Sequence, residues 1–210
     1  MAKTAAHIRY KTSSGTIVPG VTTILNVLNK PALVKWANNL GLRGIDSSKY
    51  VDDKAAIGTL AHYMILCHLK HETPEVSDYS AKQIDMAETC LIKYRDWEKG
   101  HTLRAIIIEE SLVSDSLQFG GTLDWYGGLD GVLTLLDFKT GSGIYPEMAY
   151  QLAAYKYLLT EVDYKVENYQ ILRIGRDPTE GFEIRSYPSL NTQWQIFEHC
   201  LAIYHLQRRK

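Results

Sequence analysis

Two short segments carry residues whose types and spacing could do chemistry together. One is Gly121-Thr122-Leu123-Asp124; the other is Leu135-Leu136-Asp137-Phe138-Lys139. Val132 to Phe138 is mostly apolar and reads as a buried strand. Successive side chains on a strand point to opposite faces. Asp137 and Lys139 therefore share one face, and Phe138 points away from them into the core. A buried charge is costly unless it is paired or holds a metal. Between the segments, Asp130-Gly131 is a strong type I′ hairpin signal. With those two residues as the loop, 129 faces 132, and counting outward sets Asp124 opposite Asp137. Facing carboxylates repel. A divalent cation between them turns that repulsion into a binding site. A lone Asp-x-Lys is more often an ordinary surface pair, so the residues around this one carry the case.

In chain order the sequence has Gly58-Thr59-Leu60-Ala61-His62, then Gly121-Thr122-Leu123-Asp124, Asp137-Phe138-Lys139 and Gln151-Leu152-Ala153-Ala154-Tyr155. This ordered set resembles the PD-(D/E)xK nuclease superfamily, in its RecB-like and phage-type exonuclease branch. The opening Pro19-Gly20-Val21-Thr22-Thr23-Ile24-Leu25, with Lys35-Trp36-Ala37 after it, is similar to phage and mitochondrial genome maintenance exonucleases. The resemblance implies a restriction-endonuclease-like α/β core, a central mixed sheet flanked by helices. It implies a metal-dependent DNA exonuclease, acting in replication, recombination or repair with one or two Mg²⁺ or Mn²⁺ ions. DNA, single-stranded or with ends, is the implied partner, beside replication or recombination proteins.

Hard cations take oxygen ligands, and Asp124 and Asp137 fit. The family pattern adds the main-chain carbonyl of Phe138. Lys139 would lie beside the attacking water, to hold it, to help deprotonate it, or to stabilise phosphate charge; sequence leaves all three open. Glu110 is the expected further acidic ligand, since Glu110-Ser111-Leu112-Val113 matches the family's Glu-x-x-Val. Glu109 is its rival, because alternation sends one of the two inward, and two solvated strand-end acids are the plainer alternative. His62 is implied as a ligand, against the commoner helical histidine of core or surface. Relatives often have Glu three residues on, where this chain has Ile65. Gln151 and Tyr155 lie one helical turn apart on one face. The resemblance turns that face towards the active site and DNA phosphate; the rival is a face packed on the sheet. Thr140, with Gly141 and Ser142, forms a small polar loop able to offer N–H groups to a phosphate. Trp36 would stack on a base or join the core. His68 and His71 read as solvent-facing.

Elements must position these residues. Ile8 to Thr12 reads as a strand and Val21 to Leu28 as a short helix. Pro31 suits the first turn of the next helix, which Gly41 and Gly44 end. Asp52 to Leu69 and Ser80 to Lys99 read as longer helices. Ala105 to Glu110 begins a run of strands. Pro146 opens a helix to about Thr160. Val166 to Ile174 and Phe182 to Tyr187 form a hairpin across Asp177, Pro178 and Gly181. Trp194 to Leu206 closes the chain. Helices, three strands, a helix, two strands and a helix make an α/β core with a helical N-terminal elaboration. The expected organisation is one nuclease domain over 1–210, helical over about 20–100 and sheet-containing over about 102–210.

The 210 residues suit one substantial core. The first ten lack the apolar run of a signal peptide, and no stretch approaches membrane-spanning length. Cys67, Cys90 and Cys200 are widely spaced and read as reduced thiols in a cytoplasmic setting. Three cysteines are too few for the four-cysteine iron–sulfur cluster of some RecB-like nucleases, and ordered zinc spacing is absent. The net charge of −1 lacks the basic excess common in nucleic-acid binders. Lys30, Lys35 and Arg43, and the tail Arg208-Arg209-Lys210, are the candidate basic segments. A P-loop and a Gly-x-Ser-x-Gly elbow are both missing. The rivals to an exonuclease are a structure-specific endonuclease of the same fold and a DNA-binding scaffold with a decayed site.

Overall fold

The computed structural model describes residues 9–208. Two short strands, β1 (Tyr10–Lys11) and β2 (Ile17–Val18), pair antiparallel, and four helices follow: α1 (Val21–Leu25), α2 (Pro31–Leu42), α3 (Ser47–Lys70) and α4 (Ala81–Glu98). Local chemistry sets their ends. Pro31 sits in the first turn of α2, where its missing N–H costs nothing. The Asp46 carboxylate accepts from the N–H groups of Ser48 and Lys49, so α3 starts five residues before the expected Asp52. Ser80 and Gln83 form a capping box on α4.

The sheet follows. β3 (Leu103–Ser114), β4 (Phe119–Leu129), β5 (Val132–Thr140), β6 (Asn168–Ile174) and β7 (Phe182–Tyr187) lie side by side in that order, with α5 (Pro146–Glu161) between β5 and β6 and α6 (Asn191–Leu206) at the end. β5 and β6 are parallel; the other neighbours are antiparallel. A parallel pair needs a crossover, and α5 is that crossover.

Both faces of the sheet are covered. Val21, Ile24, Tyr126, Leu135, Leu152, Tyr155 and Phe197 pack under α1, α5 and α6. Leu60, Ile65, Tyr94, Trp125, Leu136 and Phe138 pack under α3 and α4. Each fully buried side chain of this size contributes roughly 1.5–3 kcal/mol, so these two layers hold the site's strands in place. The result is the expected mixed sheet flanked by helices, with a helical N-terminal part.

Several boundaries differ from the sequence expectation. Of the Ile8–Thr12 strand, Ile8 lies outside the described residues and Tyr10–Lys11 is the paired part. β3 begins earlier and runs four residues beyond Glu110, since β4 pairs with it as far as Ser114↔Phe119. His68, expected in solvent, bonds Glu98 at 2.7 Å and lies edge-on to Tyr94. Among the described residues no helix is long and apolar enough to cross a membrane.

Candidate active site

The site lies where β4 and β5 part. Their ladder runs from Leu129↔Val132 to Trp125↔Leu136. Asp130 (φ 51°) and Gly131 (φ 87°) are both left-handed, as a type I′ loop requires. Counting on sets Asp124 against Asp137, as expected, but pairing stops one rung short. Asp124 Oδ2 instead accepts a hydrogen bond from the main-chain N–H of Phe138, at 2.7 Å. On a regular strand the N–H and C=O of one residue point to the same edge. The Phe138 carbonyl therefore shares the β4-facing edge of β5 with the N–H that Asp124 holds.

β4 also rolls at this point. Leu123 belongs to the core under α1, α5 and α6, whereas Trp125 belongs to the core under α3 and α4. Two residues apart, they would share a face on a regular strand. Opposite Asp124, by the register on either side, stands Glu109, with φ 53°. The left-handed backbone at Glu109 accompanies the roll that turns Asp124 into the fork.

Asp137 is 1% exposed and Asp124 8%. Lys139 Nζ donates to Asp137 Oδ1 at 2.9 Å. It lies 2.7 Å from Oδ2 as well, but outside hydrogen-bonding geometry, so buried Oδ2 has no hydrogen-bond partner. Burial pushes the Asp137 carboxyl up to about 6; Lys139 opposes this and the Asp124 charge adds to it. Burial acts on Asp124 too, yet His62, Lys139 and the Phe138 N–H outweigh it and hold its pKa below the ordinary value. For Lys139, burial lowers the pKa, and the two carboxylates more than offset it.

α3 supplies His62, whose Nε2 lies 3.0 Å from Asp124 Oδ1. Burial pulls the imidazole pKa down, but the Asp124 carboxylate prevails, leaving it above the usual histidine value. Gly58, one turn earlier, sets the approach: a Cβ there would stand 2.8 Å from Thr140 Oγ1, just past Lys139 on β5. A side chain at 58 would force the Thr140 hydroxyl or α3 to shift. Thr140 thus packs against α3.

α5 supplies Gln151 and Tyr155. Gln151 Nε2 donates to Tyr155 Oη at 2.5 Å. The phenol pKa is raised well above normal, by burial and then by Asp137 and Asp124. Tyr155 is therefore protonated and close enough to feel both carboxylates. It is 5% exposed and packs in the core under α1, α5 and α6.

Glu110 stands on β3 one rung from Asp124. It pairs with Leu123, and its side chain is exposed. Register places Glu109 on the Asp124 rung, but its carboxylate pairs with Lys70 at 2.6 Å. Plain alternation does not hold here, because the backbone at Glu109 is left-handed. Among the described residues, no three His, Cys, Asp or Glu side chains converge as a ready metal site. What converges beside Lys139 is two buried carboxylates and a strand-edge carbonyl. That all-oxygen set suits a hard divalent cation that keeps some of its waters.

One neighbour escaped the sequence reading. Tyr10 Oη lies 3.0 Å from Thr122 Oγ1, which lies 2.8 Å from Ser111 Oγ, a row of hydroxyls two residues from Asp124. The signal was Gly120-Gly121. A Cβ at Gly120 would strike the Tyr10 ring at 2.5 Å, and one at Gly121 the Tyr155 ring at 2.6 Å. Each glycine makes room for one tyrosine.

No protein-family model matches this chain, and no curated protein does. Solved structures do. A proposed exonuclease from Eubacterium rectale superposes with a TM-score of 0.50 at 13% identity, covering 72% of this chain. This chain spans 65% of the length of that protein. LHK-Exo, an alkaline exonuclease from Laribacter hongkongensis solved with dAMP, aligns at 12% identity over 70% of this chain and 76% of its own, with a TM-score of 0.43. The fold is of the kind seen in the Eubacterium rectale protein.

Proposed function

We propose that this protein is a metal-dependent DNA exonuclease that hydrolyses phosphodiester bonds in replication, recombination or repair. One observation carries the proposal: the Asp124 carboxylate sits in the β4–β5 fork on the Phe138 N–H, beside a buried Asp137–Lys139 ion pair. A structural ion pair has no use for a second buried carboxylate, which raises its desolvation penalty. A cation site does.

Asp124, Asp137 and the Phe138 carbonyl would hold Mg²⁺ or Mn²⁺. The bound ion would supply Lewis-acid stabilisation of phosphate charge and activation of water. Lys139 keeps a fixed positive charge at the fork, where it would orient the water or the phosphate. His62 bonds Asp124 Oδ1 and orients that carboxylate, so it acts as a positioning residue. Tyr155, accepting from Gln151, keeps its own O–H free to donate to a phosphate oxygen. Thr140 packs the end of β5 against α3.

The test compares end-labelled linear DNA with supercoiled plasmid, in Mg²⁺ or Mn²⁺ and in chelator. Release of mononucleotides from the ends in metal alone is the expected result. Plasmid nicking would point to an endonuclease of the same fold. No cleavage of either would leave a DNA-binding scaffold.

A further inference from the structure

The first 45 residues contain six Lys and Arg and no Asp or Glu. All 24 acidic residues lie beyond them, in a chain whose net charge is −1. The basic excess common in nucleic-acid binders is therefore local to this segment, since the 17 Lys and Arg beyond it are outnumbered by the 24 acids. Leu40 is the one buried residue of α2. Leu33, Val34 and Leu42 are exposed on it, Lys35 and Arg43 with them. Lys30 ties its start to Glu147, in the first turn of α5, at 2.8 Å.

Trp36 of α2 is 37% exposed and Tyr50 of α3 40%, and their rings meet edge to face at 5.8 Å. Lys54 Nζ lies 5.8 Å from the Tyr50 ring centre. Beside Tyr50 a cavity of about 370 Å³ opens between α3 and the start of α4, walled by Lys54, Lys82, Ile57 and Met86, with Asp53 also lining it. Exposed aromatic rings interleaved with cations are the pattern that binds a single nucleic-acid strand: bases stack on the rings and phosphates meet the cations.

Position selects this occupant over a membrane or a second copy of the chain. Tyr50, Lys54, Gly58 and His62 are successive members of one i+4 ridge on α3. Gly58 packs on Thr140 and His62 reaches Asp124. At a rise of about 1.5 Å per residue, Tyr50 stands roughly 18 Å from His62 along the helix. That is about five stacked nucleotides at 3.4 Å each. The ridge is thus continuous with a fork suited to phosphodiester chemistry.

We propose that the α2–α3 surface around Trp36 and Tyr50 stacks the bases of a single nucleic-acid strand and leads that strand along the Lys54 ridge to the Asp124 fork. The fork's part in this rests on the nuclease proposal; the binding surface does not. The experiment is anisotropy with labelled oligothymidylate, oligouridylate and a duplex, in chelator, so that binding is read without cleavage. Trp36→Ala with Tyr50→Ala should weaken single-strand binding at least tenfold and duplex binding little. Lys35→Glu with Arg43→Glu should weaken single-strand binding and flatten its salt dependence. Equal loss for the two oligomers means the surface reads bases and phosphates alone; loss for one assigns it to DNA or RNA. Both side-chain pairs are half-exposed or exposed, and thermal melting checks that the variants fold. Hydrolysis of bis(p-nitrophenyl) phosphate in metal should be unchanged in all variants, since it needs no strand path. If the wild type fails to hydrolyse that ester but the aromatic variant still loses oligomer binding, the nuclease proposal falls and the surface stands. Wild-type-like oligomer binding by the aromatic variant overturns the surface. So does a wild type that binds anionic vesicles, or itself, but no oligomer.

Discussion

Asp124 takes the place of a missing rung: its carboxylate, not a β4 backbone group, receives the Phe138 N–H at 2.7 Å. The same side chain thus closes the sheet's hydrogen bonding and offers charge to the fork. These two duties are separable. Asp124→Asn keeps an acceptor for the N–H, so the metal-free protein should melt near the wild type while cleavage is lost. Asp124→Ala leaves the buried N–H and His62 unpartnered and should cost about 1–3 kcal/mol besides. Urea unfolding of both variants, with cleavage assays, reads the difference.

Lys139→Ala removes a positive charge beside the proposed cation. Affinity for Mn²⁺ should hold or rise, and single-turnover cleavage should slow by a factor on the order of 10² or more. Asp137 loses its one hydrogen-bond donor, so its pKa should climb further. Cleavage at the wild-type rate would reduce the motif to a structural ion pair.

Metal binding should depend on pH through Asp137. With that carboxyl pushed up to about 6, protons compete with the cation, and affinity should fall about tenfold per unit below pH 6. Stability without metal should move the other way. A carboxyl whose folded pKa is raised binds its proton more tightly in the folded state, so stability falls as pH rises from about 4 to about 6. His62 is raised too; its contribution is complete below about 6.5 and is lost as pH rises through the folded value. Asp124, lowered, contributes above about 3.9 and loses that contribution as pH falls through its folded value. Melting at pH 4.5, 6 and 7.5, with and without Mn²⁺, should show the metal-free protein least stable at the highest pH and the metal reversing that order.

Gly121→Ala drives a Cβ to 2.6 Å from the Tyr155 ring and 3.1 Å from Val21. Both neighbours are buried and cannot swing away. Destabilisation of about 1–3 kcal/mol is expected. Tyr155→Phe keeps the ring and removes the hydroxyl that takes the Gln151 bond, so it should retain most of the stability while slowing cleavage. Equal kinetics per folded molecule in Tyr155→Phe would leave the hydroxyl with packing alone.

Glu110→Gln should leave cleavage within a few-fold of the wild type, because its exposed side chain stands on the Leu123 rung and not on that of Asp124. Glu109→Gly relieves a left-handed backbone at φ 53°. Its lost pair with Lys70 is partly exposed and worth little, so the melting temperature should hold or rise by a few degrees. A tenfold loss of activity in Glu110→Gln would restore it as a ligand.

The sequence by itself determined the elements and one register. Apolar alternation marked β5, proline and capping residues marked helix starts, and Asp130-Gly131 demanded left-handed backbone that admits one hairpin, so Asp124 had to fall against Asp137. Asp137 and Lys139 had to share a face because strand geometry has a period of two. These are local rules, and each needs nothing beyond its neighbours in the chain. Tertiary structure decided the rest. The end of the β4–β5 ladder at Trp125 and the roll between Leu123 and Trp125 arise because two different cores claim neighbouring residues of one strand. That His62 reaches Asp124, and that Tyr10 and Tyr155 flank the Gly120-Gly121 pair, depends on helix and hairpin packing across more than thirty residues of chain. Burial did the remaining work: the pKa values of Asp124 and Asp137 part in opposite directions because solvent is excluded from both while their hydrogen-bond partners differ, and no local pattern encodes that difference.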